Sequence, residues 1–121
     1  MNARIHGIGV DVVDLARFAQ TLERTPEVAT RLFTPAERDL STERLAARFA
    51  AKEACVKALR GAAGLSWQDI EVVLDDGGAP DLVLAGAAAA RAAELGVTTL
   101  HVSLSHDTSV ATAFVVAECS T

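Results

Sequence analysis

The stretch Arg44-Leu45-Ala46-Ala47-Arg48-Phe49-Ala50-Ala51-Lys52-Glu53-Ala54-Cys55-Val56-Lys57-Ala58-Leu59-Arg60 decides how this chain folds. It contains neither proline nor glycine, it is built of strong helix formers, and Gly61 follows it, which predicts one long helix over residues 44–60. Projected at about 100° per residue, Leu45, Phe49, Val56 and Leu59 fall on one stripe that should face the core. Alanines 46, 47, 50, 51, 54 and 58 cover the opposite side, where another backbone can approach closely. Lys52 projects into the middle of the apolar stripe and Glu53 lies at its edge. Arg44, Arg48 and Lys52 run along one seam at four-residue spacing, while Glu53, Lys57 and Arg60 line the other. On a solvated helix, a pair such as Glu53–Lys57 contributes only a few tenths of a kcal/mol. A lysine inside the apolar layer does not fit that picture. Two cationic seams with one carboxylate at the core edge suit a bound polyanion and the cation that it needs.

Upstream, Ile5-His6-Gly7-Ile8-Gly9-Val10-Asp11-Val12-Val13 is short and β-branched and reads as a strand. Its two glycines leave one face bare, a sign of close approach by a backbone or a ligand. Asp14 is an N-cap for a helix that carries Leu15, Phe18, Ala19 and Leu22 at helical spacing until Pro26. Thr34-Pro35-Ala36-Glu37 has the form of a capping box and predicts a short helix. Downstream, strands are expected over 68–74 and 81–84 around the turn at 75–80, then a helix over 86–95 stopped by Gly96. Two last strands, 97–105 and 110–117, flank the turn His106-Asp107-Thr108-Ser109. The order implies an α+β fold, a largely antiparallel sheet packed against a long central helix, in a single domain over 1–121.

The chain has 121 residues, half of them hydrophobic, with a formal charge of −5. The acidic balance argues against a broad nucleic-acid-binding surface. No apolar run approaches the roughly 20 residues of a membrane span. Cys55 and Cys119 follow no metal-binding spacing, and reduced thiols in a cytoplasmic protein are the expectation. A domain this small buries about two-thirds of its surface and leaves little depth for a large cleft. Asp11 offers a second carboxylate, on a strand; with Glu53 on the helix it makes a donor pair of the kind that holds Mg²⁺ against phosphate oxygens. Taken alone, Asp11 reads equally as a residue capping the end of its strand. Ser105-His106-Asp107 cannot form a catalytic relay, because neighbours on a strand point to opposite faces. His106 stands at a strand end, where it can meet a phosphate or a base. Arg17 and Arg24 share one face of the first helix, either a solvated face or a local basic patch for an acidic partner.

These motifs resemble a known family. Residues 7–18, Gly7-Ile8-Gly9-Val10-Asp11 through Arg17-Phe18, are similar to the N-terminal motif of the short holo-acyl-carrier-protein synthases, a type of 4′-phosphopantetheinyl transferase. Arg48-Phe49-Ala50-Ala51-Lys52-Glu53-Ala54-Cys55-Val56-Lys57 resembles their central helix motif. Phe33-Thr34-Pro35-Ala36-Glu37 and His101-Val102-Ser103-Leu104-Ser105-His106 resemble two further segments. The likeness spans nearly the whole chain in order. It departs at Gly78-Ala79-Pro80, with alanine where relatives often carry a basic residue.

The resemblance implies that a serine of an apo acyl carrier protein attacks the β-phosphate of coenzyme A. The products are the holo carrier and adenosine 3′,5′-bisphosphate. It implies Mg²⁺ held by Asp11 and Glu53, proton acceptance by Glu53 and charge balance by Lys57. Arg48, Lys52, Lys57 and His106 would bind coenzyme A, and Arg17 and Arg24 would bind the carrier. It also implies a homotrimer with sites between subunits, since larger relatives build theirs between two similar halves. Two other classes compete. A Mg²⁺-dependent phosphodiesterase would ask for a third metal carboxylate and a basic surface. A small oligomerisation module would use the helix charges only in surface ion pairs.

Overall fold

The chain runs β1 (Ala3–Asp14), α1 (Leu15–Arg24), α2 (Glu27–Leu32), α3 (Thr42–Ala58), a 3₁₀ turn (Trp67–Asp69), β2 (Ile70–Leu74), β3 (Pro80–Leu84), α4 (Gly86–Leu95), β4 (Val97–His106) and β5 (Val110–Ser120). The computed structural model describes residues 2–120. Asp14 caps α1 as its sequence position suggests, its Oδ2 accepting the Arg17 N–H at 2.8 Å. Pro26 separates α1 from α2, and α4 ends at Gly96.

β1, β5 and β4 form a three-stranded antiparallel sheet in that order, and β2–β3 forms a separate antiparallel hairpin. The α+β expectation is met, with its strands divided between two sheets. Strand alternation gives the larger sheet two unlike faces. Ala111, Ala113, Val115 and Ala117 of β5 are buried under α3. On the other face Ile8, Val10, Val12 and Phe114 are 45–61% exposed.

α3 lies against the inner face through its alanines, with Ala46, Ala50, Ala51, Ala54 and Ala58 fully buried. The backbone expected to pack on that alanine surface is β1. A Cβ added at Gly9 would overlap the Ala54 carbonyl oxygen, and one at Gly7 would overlap that of Ala58. The missing side chains of β1 and the small ones of α3 therefore set the separation of strand and helix. The expected apolar stripe is only partly the core side. Leu45 and Leu59 are buried, whereas Phe49 and Val56 are half-buried. Because α3 is covered on several sides, no single stripe describes it.

The capping box does not start a helix. Residues 35–39 form turns, although the Glu37 Oε1 does accept the Thr34 N–H at 3.0 Å. Glu37 is buried and serves other partners: Lys52 Nζ at 2.7 Å and the Val72 N–H at 3.0 Å. The other half of the box is missing, because the Thr34 hydroxyl donates to Glu71 and the Glu37 N–H donates to the Thr34 carbonyl oxygen. Strand β2 starts two residues later than expected, because Ser66 and Asp69 cap the 3₁₀ turn before it. Among the described residues no helix is long and apolar enough to cross a membrane.

Candidate active site

β1 continues past the glycine contact to place Asp11 on the same face as Gly7 and Gly9, beside α3. On α3, Glu53 and Lys57 stand one turn apart, on either side of Ala54. Lys57 Nζ donates to the Val10 carbonyl oxygen at 2.9 Å and to Asp11 Oδ1 at 3.2 Å. That ion pair is half-exposed and contributes little to stability; its consequence is positional, holding the Asp11 carboxylate at the helix.

Asp11 and Glu53 line one pocket of about 520 Å³, with Arg17, Arg31, Phe18 and Phe49 also in its wall. The Glu53 carboxyl is pushed up from its ordinary value, first by burial and then by the negative charge of Asp11, with Lys57 opposing. A carboxylate whose proton affinity is raised by a neighbouring negative charge marks a place where a cation binds favourably. Among the described residues no group of three or more His, Cys, Asp or Glu side chains gathers around one point. Phe49 forms the floor, stacked on Phe18 with ring centroids 5.9 Å apart and edge-on to Trp67 at 5.7 Å. Cys55, two residues from Glu53, is fully buried and its thiol is pushed up to about 12, so it is no nucleophile.

Arg48 and His106 share a second pocket, of about 260 Å³, with Arg44, Ser105, Leu74 and Leu104 in its wall. It has no residue in common with the first. The reason is helical geometry: Arg48 and Glu53 are five residues apart, about 140° around α3. Arg48 is 9% exposed, its Nε has no hydrogen-bond partner, and burial pushes its pKa down. A buried guanidinium with an unused donor is one that a ligand would satisfy.

Lys52 joins neither pocket, and the expectation that it binds coenzyme A is corrected. Its ammonium is fully buried and donates to Glu37 Oε1 and the Leu32 carbonyl oxygen, each at 2.7 Å, and to the Trp67 carbonyl oxygen at 3.2 Å. All three donors are used within the protein. The sequence placed Lys52 in the apolar layer but could not show that Glu37 was waiting there. Arg17 lies at the rim of the carboxylate pocket, and Arg24 is exposed in the last turn of α1, outside that pocket. Sequence reasoning missed Arg31, which comes to the same rim from α2. It is an isolated cation in a short segment with no periodicity to mark it.

With the geometry in place, comparison gives the class. The family model of the 4′-phosphopantetheinyl transferase superfamily matches residues 7–115, and the chain belongs to that family. A holo-[acyl-carrier-protein] synthase of Clavibacter sepedonicus is 62% identical over 114 residues, covering 94% of this chain and 96% of its own. Among solved structures, the holo-ACP-synthase of Plasmodium yoelii superposes with a TM-score of 0.91 at 28% identity over 100% of both chains. The Helicobacter pylori holo-[acyl-carrier-protein] synthase, solved in complex with coenzyme A, has a TM-score of 0.80 at 32% identity, covering 91% of this chain and 98% of that one.

Proposed function

We propose that the chain, one domain over residues 1–121, transfers 4′-phosphopantetheine from coenzyme A to a serine of an apo acyl carrier protein. The products are the holo carrier and adenosine 3′,5′-bisphosphate. The observation that carries this reading is the shared pocket of Asp11 and Glu53 beside Lys57, in a chain whose relative binds coenzyme A.

The donor set fits Mg²⁺. Asp11 and Glu53 offer hard oxygen ligands in an open pocket, and this ion takes one or two carboxylates and leaves other positions to water and phosphate. When bound, the ion withdraws charge from the diphosphate. Glu53 accepts the proton of the attacking serine. Lys57 spends two donors on Val10 and Asp11, and its third is left to balance the charge that develops on the leaving bisphosphate. Arg48 and His106 bind a coenzyme A phosphate, and Arg17 and Arg24 attract the acidic carrier.

The working unit is a homotrimer with its sites between subunits. The metal pair and the phosphate-binding cations occupy separate pockets of one chain, so one coenzyme A that touches both draws them from two. The exposed apolar face of Ile8, Val10, Val12 and Phe114 supports burial against another copy. Free, buried Cys55 and Cys119 support a cytoplasmic setting.

The test is mass spectrometry of an apo carrier incubated with coenzyme A and Mg²⁺. The carrier should gain one phosphopantetheine group, and the gain should vanish with EDTA and with Asp11→Asn or Glu53→Gln. Absence of transfer by the unaltered protein, or undiminished transfer with either carboxylate neutralised, would contradict the proposal.

A further inference from the structure

Helix α3 ends on an uncommon backbone conformation. Arg60 has φ +58°, and among the described residues it is the only one other than glycine with a positive φ. Glycine is the usual occupant of this left-handed position after a helix. The Arg60 N–H donates to the Lys57 carbonyl oxygen at 3.1 Å and the Gly61 N–H to that of Val56 at 2.9 Å, which closes the helix. Arg91 of α4 fixes the turn from outside, its guanidinium donating to the carbonyl oxygens of Leu59 at 3.2 Å, Gly61 at 3.0 Å and Arg60 at 3.4 Å. A glycine at position 60 would adopt this conformation without strain, so what the arginine adds is its side chain. That guanidinium crosses to β1 and donates to the His6 carbonyl oxygen at 2.9 Å.

The His6 carbonyl stands at the irregular point of β1. Ile5 pairs with Glu118 and Gly7 with Ala117, so His6 is an extra residue in the ladder, a β-bulge. Beyond it, strand alternation turns Gly7, Gly9 and Asp11 toward α3 and Ile8, Val10 and Val12 away. A slip of one residue would carry Asp11 to the opposite face. β1 is thus tied to α3 on both sides of the glycine contact, by Arg60 at His6 and by Lys57 at Val10 and Asp11. Of the two ties, only the one at His6 stands clear of the reacting groups. Arg60 lines a third pocket, of about 470 Å³, with Arg91 and Glu94, and neither Asp11 nor Glu53 belongs to it. We propose that Arg60 is a positioning residue: its guanidinium pins the β1 bulge and so keeps Asp11 in register with Glu53 for the metal. The inference rests on the reading of Asp11 and Glu53 as the metal pair.

Two substitutions separate the side chain from the backbone. Arg60→Gly and Arg60→Ala both remove the guanidinium, but only glycine relieves the left-handed conformation. Arg60→Gly should therefore melt above Arg60→Ala, whereas the two should be impaired alike in the transfer assay. The Mg²⁺ concentration for half-maximal transfer should rise about fivefold in both, as the loss of one hydrogen bond implies. At saturating Mg²⁺, KM for coenzyme A should stay nearly unchanged. Arg60→Lys, which can still donate to His6, should recover part of the loss. Amide hydrogen exchange over residues 7–11, followed without metal or substrate, should quicken equally in the glycine and alanine variants. A Mg²⁺ requirement that tracks Tm across the two variants would make Arg60 a structural cap and overturn the proposal. A raised KM for coenzyme A with unaltered Mg²⁺ dependence would put the guanidinium on the substrate and overturn it equally. So would unchanged exchange in β1. If the unaltered protein transfers no phosphopantetheine, the enzymatic reading falls, and the exchange of β1 still decides whether Arg60 holds the strand.

Discussion

Asp11, Glu53 and Lys57 meet because a strand and a helix are pressed together, and the charges of Asp11 and Lys57 then act on Glu53. The pH consequence concerns Glu53. Its folded pKa lies above the ordinary 4.5, so between the two values the folded protein keeps a proton that the unfolded chain has lost. Stability therefore falls as pH rises through that window, and the penalty is complete above it. At neutral pH without metal, Glu53→Gln should melt no lower than the unaltered protein, and any advantage should disappear on acidification below the ordinary carboxylate pKa. With coenzyme A present throughout, added Mg²⁺ should raise the Tm of the unaltered protein and not that of the variant. A metal-free variant that melts well below the unaltered protein at neutral pH would show that Glu53 is a structural partner and not a strained ligand. Arg17 tests another contact. Arg17→Glu should raise KM for the carrier about tenfold, leave that for coenzyme A nearly unchanged and lose its effect in high salt; equal effects on both substrates would remove the carrier assignment. Both carboxylates, Lys57 and Arg17 were legible in the sequence as residue types on identified elements. That Arg48 and Glu53 serve different pockets follows from their angular separation on the helix.

At the scale of elements, the contact between β1 and α3 governs the site. Gly9→Ala forces a methyl group into the Ala54 carbonyl oxygen, and neither backbone can yield without shifting strand or helix. A loss of about 3 kcal/mol, the upper end of overpacking costs, is expected in denaturant unfolding, with weaker Mg²⁺ binding as Asp11 moves from Glu53. Unchanged stability would mean that the strand does not sit on the helix as described. The Lys52–Glu37 pair joins the end of α2, the 3₁₀ turn and β2 to α3 through its buried hydrogen bonds. Lys52→Met leaves Glu37 buried without its counterion, at a cost of about 3–5 kcal/mol. The double variant with Glu37→Gln should recover much of that, and a double variant no better than the single would separate the two residues energetically. Elements bounded by strong punctuation were legible: α1 from Asp14, α4 up to Gly96, and the strands around the turn at 106–109. The failed helix at Thr34 was not, because the Thr34 hydroxyl is bound to Glu71 of β2 and Glu37 is shared with Lys52 and β2, all distant in sequence. Nothing local encodes such a pairing.

At the scale of the molecule, a small acidic chain sets four of its eleven Lys and Arg side chains in the walls of two pockets and leaves an apolar sheet face open. The division of the site explains why neither pocket looks like a complete enzyme. On the proposed reading, the carboxylates would hold the metal and the arginine–histidine pocket a phosphate of coenzyme A. The family likeness could suggest assembly, and the two seams already set Arg48 apart from Glu53 around α3; the coordinates add that they line different pockets. The most direct measurement is a crystal grown with coenzyme A and Mn²⁺, standing in for Mg²⁺, with anomalous scattering used to locate the metal. The account predicts one strong peak between the Asp11 and Glu53 carboxylates, in contact with the diphosphate and absent from Asp11→Asn. A metal bound elsewhere, or a peak that persists when Asp11 is neutralised, would contradict it.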